Sequence, residues 1–234
     1  MSTHQPTISI IIPVLNEEKY IKDVLFAIST NAGSNRIKEI LVVDGGSTDR
    51  TVANAQKHGA TVINSNKGRA KQMNLGAAQA TGDVLYFLHV DSLPPKDFDS
   101  DILNEIDRGF EVGCFQMRFN SNSLFLQFFS WCTKINHQIC RGGDQSLFIT
   151  SKLFHELNGF NENYVIYEDN EFIRRVYKLK PFKIISSAIT TSARRYEERG
   201  TVRLQYHFGM IHLKHHLGAK PKELYQYYLK HIAA

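Results

Sequence analysis

The sequence predicts an α/β fold in which a Rossmann-like, mostly parallel sheet is flanked by helices. Short β-branched or aromatic runs alternate with segments of helical spacing through the first half of the chain. Acids follow two of these runs, at Asp44 and Asp91. Alternating strands and helices build right-handed crossovers, and such a sheet holds its ligand beyond the carboxyl ends of its strands. Both acids are therefore expected at a ligand site.

Four apolar runs predict the first strands, at residues 8–12, 40–43, 60–63 and 84–88. After the first run, Asn16 is predicted to cap a helix that has Glu17 and Glu18 in its first turn. Thr48 or Asp49 is predicted to cap a second helix, and Gly68 to open a third. Residues 1–95 or so thus have the alternation of an α/β half-domain that binds a nucleotide.

Further strands are predicted at residues 115–119, 146–149 and 182–189, and helices at 168–177 and from 202 onward. The segment 124–131 is unusually aromatic and has apolar residues on most faces of a helix. We expect it to be a core helix or a subunit contact, with lipid contact as the alternative.

Composition favours one domain spanning residues 1–234, because 42% of the residues are hydrophobic and no Pro/Gly/Ser-rich linker divides the chain. The net charge of +5 favours an anionic partner. Nucleic acid is disfavoured, since the aromatic residues fall in core-like runs and the basic residues are dispersed. Cys114, Cys132 and Cys140 are expected to be reduced thiols in the core.

Localisation follows from the same features. No apolar run reaches the roughly 18 residues of a spanning helix, and the first residues lack the pattern of a signal peptide. The protein is expected to be cytoplasmic, or at most peripheral at the inner face of the membrane.

Several motifs together resemble family 2 glycosyltransferases of the GT-A fold, and in particular a small single-domain, bacterial-type subgroup. The resemblance is carried by residues 11–18 (IIPVLNEE), 42–51 (VVDGGSTDRT), 68–77 (GRAKQMNLGA) and 80–83 (ATGD), and it continues through 143–145 (GDQ), 167–169 (YED) and 191–195 (TSARR). It implies inverting, metal-dependent transfer of a sugar from a nucleotide-diphosphate donor. The acceptor, whether a glycan, a lipid-linked compound or a small molecule, would face the second half of the chain, residues 96–234.

The resemblance also assigns the reacting groups. Asp169 would be the base that takes the acceptor proton, with Glu168 orienting the acceptor or the loop. Asp91 matches the last acid of the D-x-D motif of the family and is the predicted ligand of Mn²⁺ or Mg²⁺. His89 stands where the family has the first acid, so it is either a second ligand or a polar strand end.

Donor contacts are expected at several positions. Pro13 is expected to end the first strand so that the following backbone can curve over a base, and Asp44 is expected to contact a ring N–H, with uracil weakly favoured over guanine. Alternatives are a helix cap for Asn16, a structural turn for Asp144 and Gln145, and an exposed basic loop for Arg194 and Arg195. The full set of expected contacts is Pro13, Asn16, Glu17, Asp44, Gly68 and Arg69 for the nucleotide, Asp144 and Gln145 for the sugar hydroxyls, and Arg194 and Arg195 for the diphosphate.

Two other functions stay open. His89 in place of the first metal acid is compatible with a catalytically weak protein that binds nucleotide sugars or a membrane surface. A nucleotidyltransferase is less favoured, because Pro13 and the residues up to Asn16 replace the Gly-rich loop expected after the first strand. A homodimer is compatible with the aromatic segment.

Overall fold

The computed structural model describes residues 5–233, which form an eight-stranded sheet with helices on both faces. Residues 1–4, which fall in the stretch where the sequence lacks the pattern of a signal peptide, and Ala234 lie outside this description. The strands are β1 (Ile8–Val14), β2 (Ile37–Asp44), β3 (Thr61–Asn64), β4 (Val84–Phe87), β5 (Ser92–Leu93), β6 (Val112–Phe119), β7 (Leu147–Thr150) and β8 (Lys183–Thr191). The helices are α1 (Ile21–Asn31), α2 (Thr51–Lys57), α3 (Arg69–Gln79), α4 (Phe98–Asp107), α5 (Leu124–Cys132), α6 (Ser151–Glu156), α7 (Glu168–Tyr177), α8 (Arg194–Arg199), α9 (Thr201–His216) and α10 (Pro221–Tyr228).

The sheet has the order β3-β2-β1-β4-β7-β6-β8-β5. The first four strands are mutually parallel, as predicted, and Val14, Asp44 and Asn64 lie in register at their carboxyl ends. β7 runs antiparallel to β4 and β6, while β6 and β8 are parallel to each other. Strands from both predicted halves of the chain therefore share one sheet.

Pro13 does not end the first strand, which corrects the prediction. It lies inside β1 and is paired in register with Val43 of β2. The carbonyls of β1 that face β4 belong to odd-numbered residues such as Ile11, so the nitrogen of Pro13 also faces β4. Because the pairing with β4 stops at Ile11, no ladder hydrogen bond is lost at the proline.

Asn16 is not the cap of α1, because that helix begins at Ile21. Asn16 instead adopts a left-handed backbone conformation, with φ of 55°. Its Oδ1 accepts a hydrogen bond from the backbone N–H of Thr48 at 2.8 Å, and its own N–H donates to Oγ of Ser47 at 2.9 Å. Asn16 thus joins the loop after β1 to the loop after β2. Gly68 directly precedes α3, as predicted.

Two hydrophobic cores lie on the two faces of the sheet. Even-numbered residues of β1 pack with α1, α4 and the carboxy-terminal helices, and Ile11 packs with α3, α6 and α7. Gly76 permits the close approach of α3, since a Cβ atom there would lie 2.6 Å from the side chain of Ile11 and 2.9 Å from that of Val43. Both faces of the sheet are therefore covered, as expected of a buried parallel sheet.

The prediction that the aromatic segment is a core helix is wrong for most of its side chains. In α5 only Leu126 is fully buried, while Leu124, Phe128 and Trp131 are largely exposed. All three cysteines are free, with Cys114 buried and the other two half-buried. Among residues 5–233, no helix has both the length and the apolarity needed to span a bilayer.

Candidate active site

Strand direction brings most of the predicted site residues to one edge of the sheet. The carboxyl ends of β1, β2 and β4 lie there, and the antiparallel β7 begins there, since Leu147 pairs with Phe87. β8 is parallel to β6 and ends at Thr191, whose neighbour across the sheet is Ser92 of β5. The loop after β4, the loop after β8 and the loop before β7 therefore lie at the same edge of the sheet.

The predicted catalytic acids open α7 at this edge. Tyr167 precedes them in a left-handed conformation with φ of 71°, and both Glu168 and Asp169 are buried. Nε of Arg69, at the start of α3, lies 2.6 Å from Oε1 of Glu168. Complete burial raises the pKa of Glu168, and this effect outweighs the opposing effect of Arg69. Arg69 is therefore paired with an acid of α7, which the spacing of the sequence did not indicate.

His89 lies beside the second acid, with its Nε2 3.7 Å from Oδ2 of Asp169. Burial by itself would raise the pKa of Asp169, but the neighbouring His89 more than offsets it, so the pKa of Asp169 lies below its ordinary value. Asp169 is consequently ionised at neutral pH. The structure places His89 against the predicted base, where the sequence offered a metal ligand or a polar strand end.

A second group of carboxylates surrounds Asp91. Burial raises the pKa of Glu17, with Arg194 opposing the rise and Asp91 adding to it. Although Asp144 is exposed at the surface, the groups packed around its carboxyl and then the Asp91 carboxylate raise its pKa, against the opposing charges of His89 and Arg195. Asp91 and Asp144 therefore lie close enough to repel each other.

This carboxylate pair suits a divalent cation that also takes oxygens from a diphosphate, because Mg²⁺ and Mn²⁺ prefer oxygen donors and often use only one or two protein carboxylates. Within residues 5–233, no three His, Cys, Asp or Glu side chains are arranged to hold a metal by themselves. The donor set thus fits a metal shared with substrate, with Asp91 as the predicted ligand.

Asp44 is almost fully buried at the end of β2, where its carboxylate accepts hydrogen bonds from the backbone N–H groups of Gly46 and Ser47 at 3.0 and 2.9 Å. The carboxylate therefore shapes the loop after β2, and a contact with a base stays a prediction. Gln72 on α3 lies beneath this loop and donates from Nε2 to the carbonyls of Val14 and Val43, both at 2.8 Å. It thereby fixes the adjacent ends of β1 and β2.

Gln145 belongs to a buried network. Its Oε1 accepts hydrogen bonds from Arg141 at 2.8 Å and from the Cys114 thiol at 3.3 Å, and its Nε2 donates to the Cys140 carbonyl at 2.7 Å. Only 4% of Gln145 is exposed. These contacts use both acceptor positions of Oε1 and one N–H of the amide, and because the side chain is buried in this network we exclude it from the proposed donor contacts.

Arg194 and Arg195 begin α8 and are half-buried, so the alternative of an exposed basic loop is wrong. The guanidinium of Arg194 lies 4.4 Å from the ring centre of Tyr20, and Nη2 of Arg195 donates to the Tyr228 hydroxyl at 3.1 Å. Aromatic partners of this kind hold guanidinium groups in place without neutralising them. Both cations remain available to an anion beside Asp91 and Asp144.

Comparison with known proteins identifies the family. The model of the family described as Glycosyl transferase family 2 matches residues 9–169, more than half of the chain. The chain belongs to glycosyl transferase family 2. The matched range begins in β1 and ends at Asp169, so it includes both groups of acids.

Curated relatives in the family are longer than this chain. A probable glycosyltransferase YdaM of Bacillus subtilis (strain 168) is 27% identical over 199 residues, which cover 74% of this chain and 47% of that protein. Glucosyl-3-phosphoglycerate synthase of Mycobacterium tuberculosis is 32% identical over 98 residues, which cover 38% of this chain and 30% of that protein. The chain thus matches about half or less of the length of these relatives.

Solved structures of similar proteins show the same GT-A fold. S. aureus TarS in complex with UDP-GlcNAc has a TM-score of 0.67 and 24% identity, over 80% of this chain and 58% of the other. Glucosyl-3-phosphoglycerate synthase from M. tuberculosis, in complex with Mn²⁺, UDP and glucosyl-3-phosphoglycerate, has a TM-score of 0.60 and 18% identity, over 80% and 70% of the two chains. As a family 2 member, this chain has the fold that its motifs predict.

Sequence reasoning did not assign two residues that matter to the site. Gln72 lies inside the motif at residues 68–77, but nothing in the neighbouring sequence indicates that its side chain reaches the strand carbonyls. Tyr167 precedes the acidic pair, and its hydroxyl meets Nδ1 of His212 on α9 at 2.8 Å. Both contacts join residues more than twenty positions apart, so only the fold reveals them.

Proposed function

We propose that this chain transfers a sugar from a nucleotide-diphosphate donor to an acceptor hydroxyl with inversion at the anomeric carbon. The observation that carries the proposal is the placement of two buried acids, Glu168 and Asp169, at the sheet edge where β1, β2 and β4 end. Such an edge is where α/β sheets hold ligands. The acceptor is a glycan, a lipid-linked compound or a small molecule.

Asp169 is the proposed base. Its carboxylate is ionised because the neighbouring His89 keeps its pKa low, and it would take the proton of the acceptor hydroxyl as that oxygen bonds to the anomeric carbon. The bond from the anomeric carbon to the diphosphate oxygen breaks, and its electron pair leaves with the nucleotide. Glu168 forms an ion pair with Arg69 at 2.6 Å and would thereby hold the start of α3 against the start of α7.

The proposed donor site extends from the loop after β2 to the start of α8. Asn16, Glu17 and Asp44 would border the nucleotide, together with Gly68 and Arg69 at the start of α3. Arg194 and Arg195 would contact the departing diphosphate through charge-assisted hydrogen bonds, and Asp144 would contact the sugar.

Asp91 with Asp144 would hold a Mn²⁺ or Mg²⁺ ion, which when bound supplies positive charge to the diphosphate leaving group. UDP is the favoured nucleotide, because solved structures of similar fold were obtained with UDP or UDP-GlcNAc. Three free thiols fit a reducing compartment such as the cytoplasm.

A nucleotide panel tests this proposal before any acceptor is known. Binding of UDP, GDP, CMP and ADP is measured by calorimetry with Mn²⁺, with Mg²⁺ and with a chelator. We expect metal-dependent preference for a nucleoside diphosphate, UDP first. Failure to bind any member would refute the transferase proposal, and diphosphate binding without turnover of any donor would favour the alternative of a nucleotide-sugar binding protein.

Variants then separate the roles of the acids. Asp169→Asn should keep nucleotide affinity and reduce transfer, or hydrolysis of the donor, by about 10²–10⁴-fold, the usual contribution of a general base. Asp91→Ala should remove the metal dependence of nucleotide binding. Asp107→Asn, an exposed position on α4, is the matched control and should change neither property. Full activity of Asp169→Asn would exclude Asp169 as the base.

A further inference from the structure

Several large apolar side chains on α5 and in the segment after it are exposed to solvent. Leu124 is 81% exposed, Phe128 58% and Trp131 54%. The rings of Phe128 and Trp131 stack with centroids 6.3 Å apart, so they form one continuous patch. We define the α5 surface as Leu124, Phe125, Phe128, Trp131, Ile135 and Ile139, each of which is at least 36% exposed.

The electrostatic character of this surface is one-sided. No Asp or Glu occurs between Glu111 and Asp144, whereas Lys134 and His137 lie within the same stretch. Residues 136–138 also line a cavity of about 310 Å³ whose other walls include Arg174 and Lys178. Among the described residues, neither of these two cations forms an ion pair with a carboxylate. The α5 surface therefore adjoins a basic cavity.

The surface is held rigidly. Arg141 is buried, and its Nη2 donates to the carbonyls of Thr133 and Ile135, both at 2.6 Å. These carbonyls directly follow α5, where a cation is favoured by the helix dipole. Leu126 anchors the opposite side of the helix in the core. Leu124, Phe125, Phe128 and Trp131 are thus exposed on a helix that is anchored through its core face and its carboxyl end.

The positive charge near the α5 surface favours an anionic bilayer over a second copy of this chain as its binding partner. In a symmetric dimer the α5 surface would meet its own copy, so the basic cavity and Lys134 would be brought toward like charges. An anionic bilayer instead offers apolar chains to the rings and lipid phosphates to the cations. Trp at the edge of such a surface has the amphipathic ring that lies well at the headgroup level.

We propose that the α5 surface docks this protein on an anionic lipid bilayer, with Phe128 and Trp131 at the headgroup boundary and lipid phosphate in the cavity beside Arg174 and Lys178. This docking goes beyond the proposed transfer and does not depend on it. Its test reads binding to lipid and needs neither donor nor acceptor.

Trp131 is the only tryptophan in the chain, so intrinsic fluorescence reports on this surface directly. The probes are phosphatidylcholine vesicles with and without phosphatidylglycerol. We expect a blue shift, and quenching by brominated acyl chains, only with the anionic vesicles. We expect added salt to weaken binding, because the cations near the surface are exposed to screening.

Variants identify the binding face. The double change Leu124→Ser and Phe128→Ser should lower partition into anionic vesicles by at least about tenfold, since each side chain would lose its burial in lipid. Phe26→Ser on α1 is the matched control, because Phe26 is 67% exposed at another helix, and its partition should be unchanged. Lys178→Glu should weaken binding, whereas Lys57→Glu on α2 should have no effect.

Two results would overturn the proposal. One is the absence of any spectral shift or co-sedimentation with anionic vesicles. The other is a blue shift without lipid that follows protein concentration together with a doubled mass in light scattering, which would assign the surface to a second copy of the chain.

Discussion

Replacement of Arg69 tests how much the Arg69–Glu168 ion pair contributes to the stability of the fold. The Glu168 side chain has no solvent exposure, whereas the side chain of Arg69 is 40% exposed, and their charged atoms lie 2.6 Å apart. Arg69→Met removes the positive charge but keeps much of the apolar stem that packs at the start of α3. The buried carboxylate then loses its nearest cation.

The expected cost follows from the distance and the exposure. Two unit charges about 4 Å apart attract by about 4 kcal/mol at an effective dielectric constant near 20. Because Arg69 is partly solvated, we reduce this value to a loss of about 2 kcal/mol in the free energy of unfolding. Glu168→Gln should cost little stability at neutral pH, because a carboxyl group whose pKa is raised in the folded protein lowers stability when it ionises, and the remaining Arg69 can turn toward water.

The pH dependence has a definite sign. The pKa of Glu168 lies above its ordinary value of 4.5 in the folded protein, and the loss of Arg69 raises it further. At a pH between the pKa of Glu168 in the unfolded chain and its higher pKa in the folded protein, the folded state binds more protons than the unfolded state. The free energy of unfolding therefore falls as the pH rises through this range. The cost of Arg69→Met should therefore be small at a pH below 4.5 and should grow as the pH rises above it.

Urea unfolding at several pH values, with the double variant Arg69→Met/Glu168→Gln, measures the coupling. We expect the double variant to regain most of the stability lost at neutral pH. Lys71→Met, at an exposed position on the same helix, is the control for the loss of a cation from α3. If Arg69→Met costs less than about 0.5 kcal/mol at neutral pH, or costs the same at every pH, Arg69 does not stabilise the buried Glu168 carboxylate.

Three further predictions concern packing around the site. Gly76→Ala should lower the free energy of unfolding by about 1–3 kcal/mol in urea titrations, because the added methyl would overlap side chains of β1 and β2; unchanged stability would contradict the close packing of α3. Asn74→Ala should cost about 1–3 kcal/mol, because Asn74 exchanges two 2.9 Å hydrogen bonds with the backbone of Phe160, and hydrogen exchange of the Phe160 amide should speed up. Tyr167→Phe should cost about 1 kcal/mol and lower the transfer rate, because the bond to His212 is lost; an unaltered rate would separate α9 from the site.

The fold was predictable from the sequence because its signals are local. The apolar, β-branched runs at 8–12 and 40–43 predict buried strands. Their alternation with helices predicts that the first four strands are parallel. Errors arose where tertiary contacts replace local ones. Asn16 has a capping side chain, but it caps no helix because Ser47 and Thr48 of the next loop supply better partners.

The site was predictable only as a set of residues. The motifs contain Arg69 and Asp169, but the sequence links His89 to Asp91, which lies two residues further along the chain. The structure places His89 beside Asp169, eighty residues away, because α7 begins over the end of β4. Similarly, Gln145 has the sequence character of a polar loop residue, and its burial depends on Arg141, four residues earlier in the same loop, and on Cys114 of β6. The contact with Cys114 has no signature in the spacing of the sequence.

The carboxy-terminal helices complete the site. Tyr167 adopts a left-handed backbone conformation that costs a non-glycine residue roughly 1–2 kcal/mol, and this conformation starts α7 with both acids at the sheet edge. The cost is offset by its hydrogen bond to His212 and by the packing of its ring 4.6 Å from that of His215. Since α9 is itself anchored in the core through Leu204 and Ile211, the position of Asp169 depends on residues beyond the range that the family model matches. The tail of the chain therefore contributes to the geometry of the proposed base without supplying a reacting group.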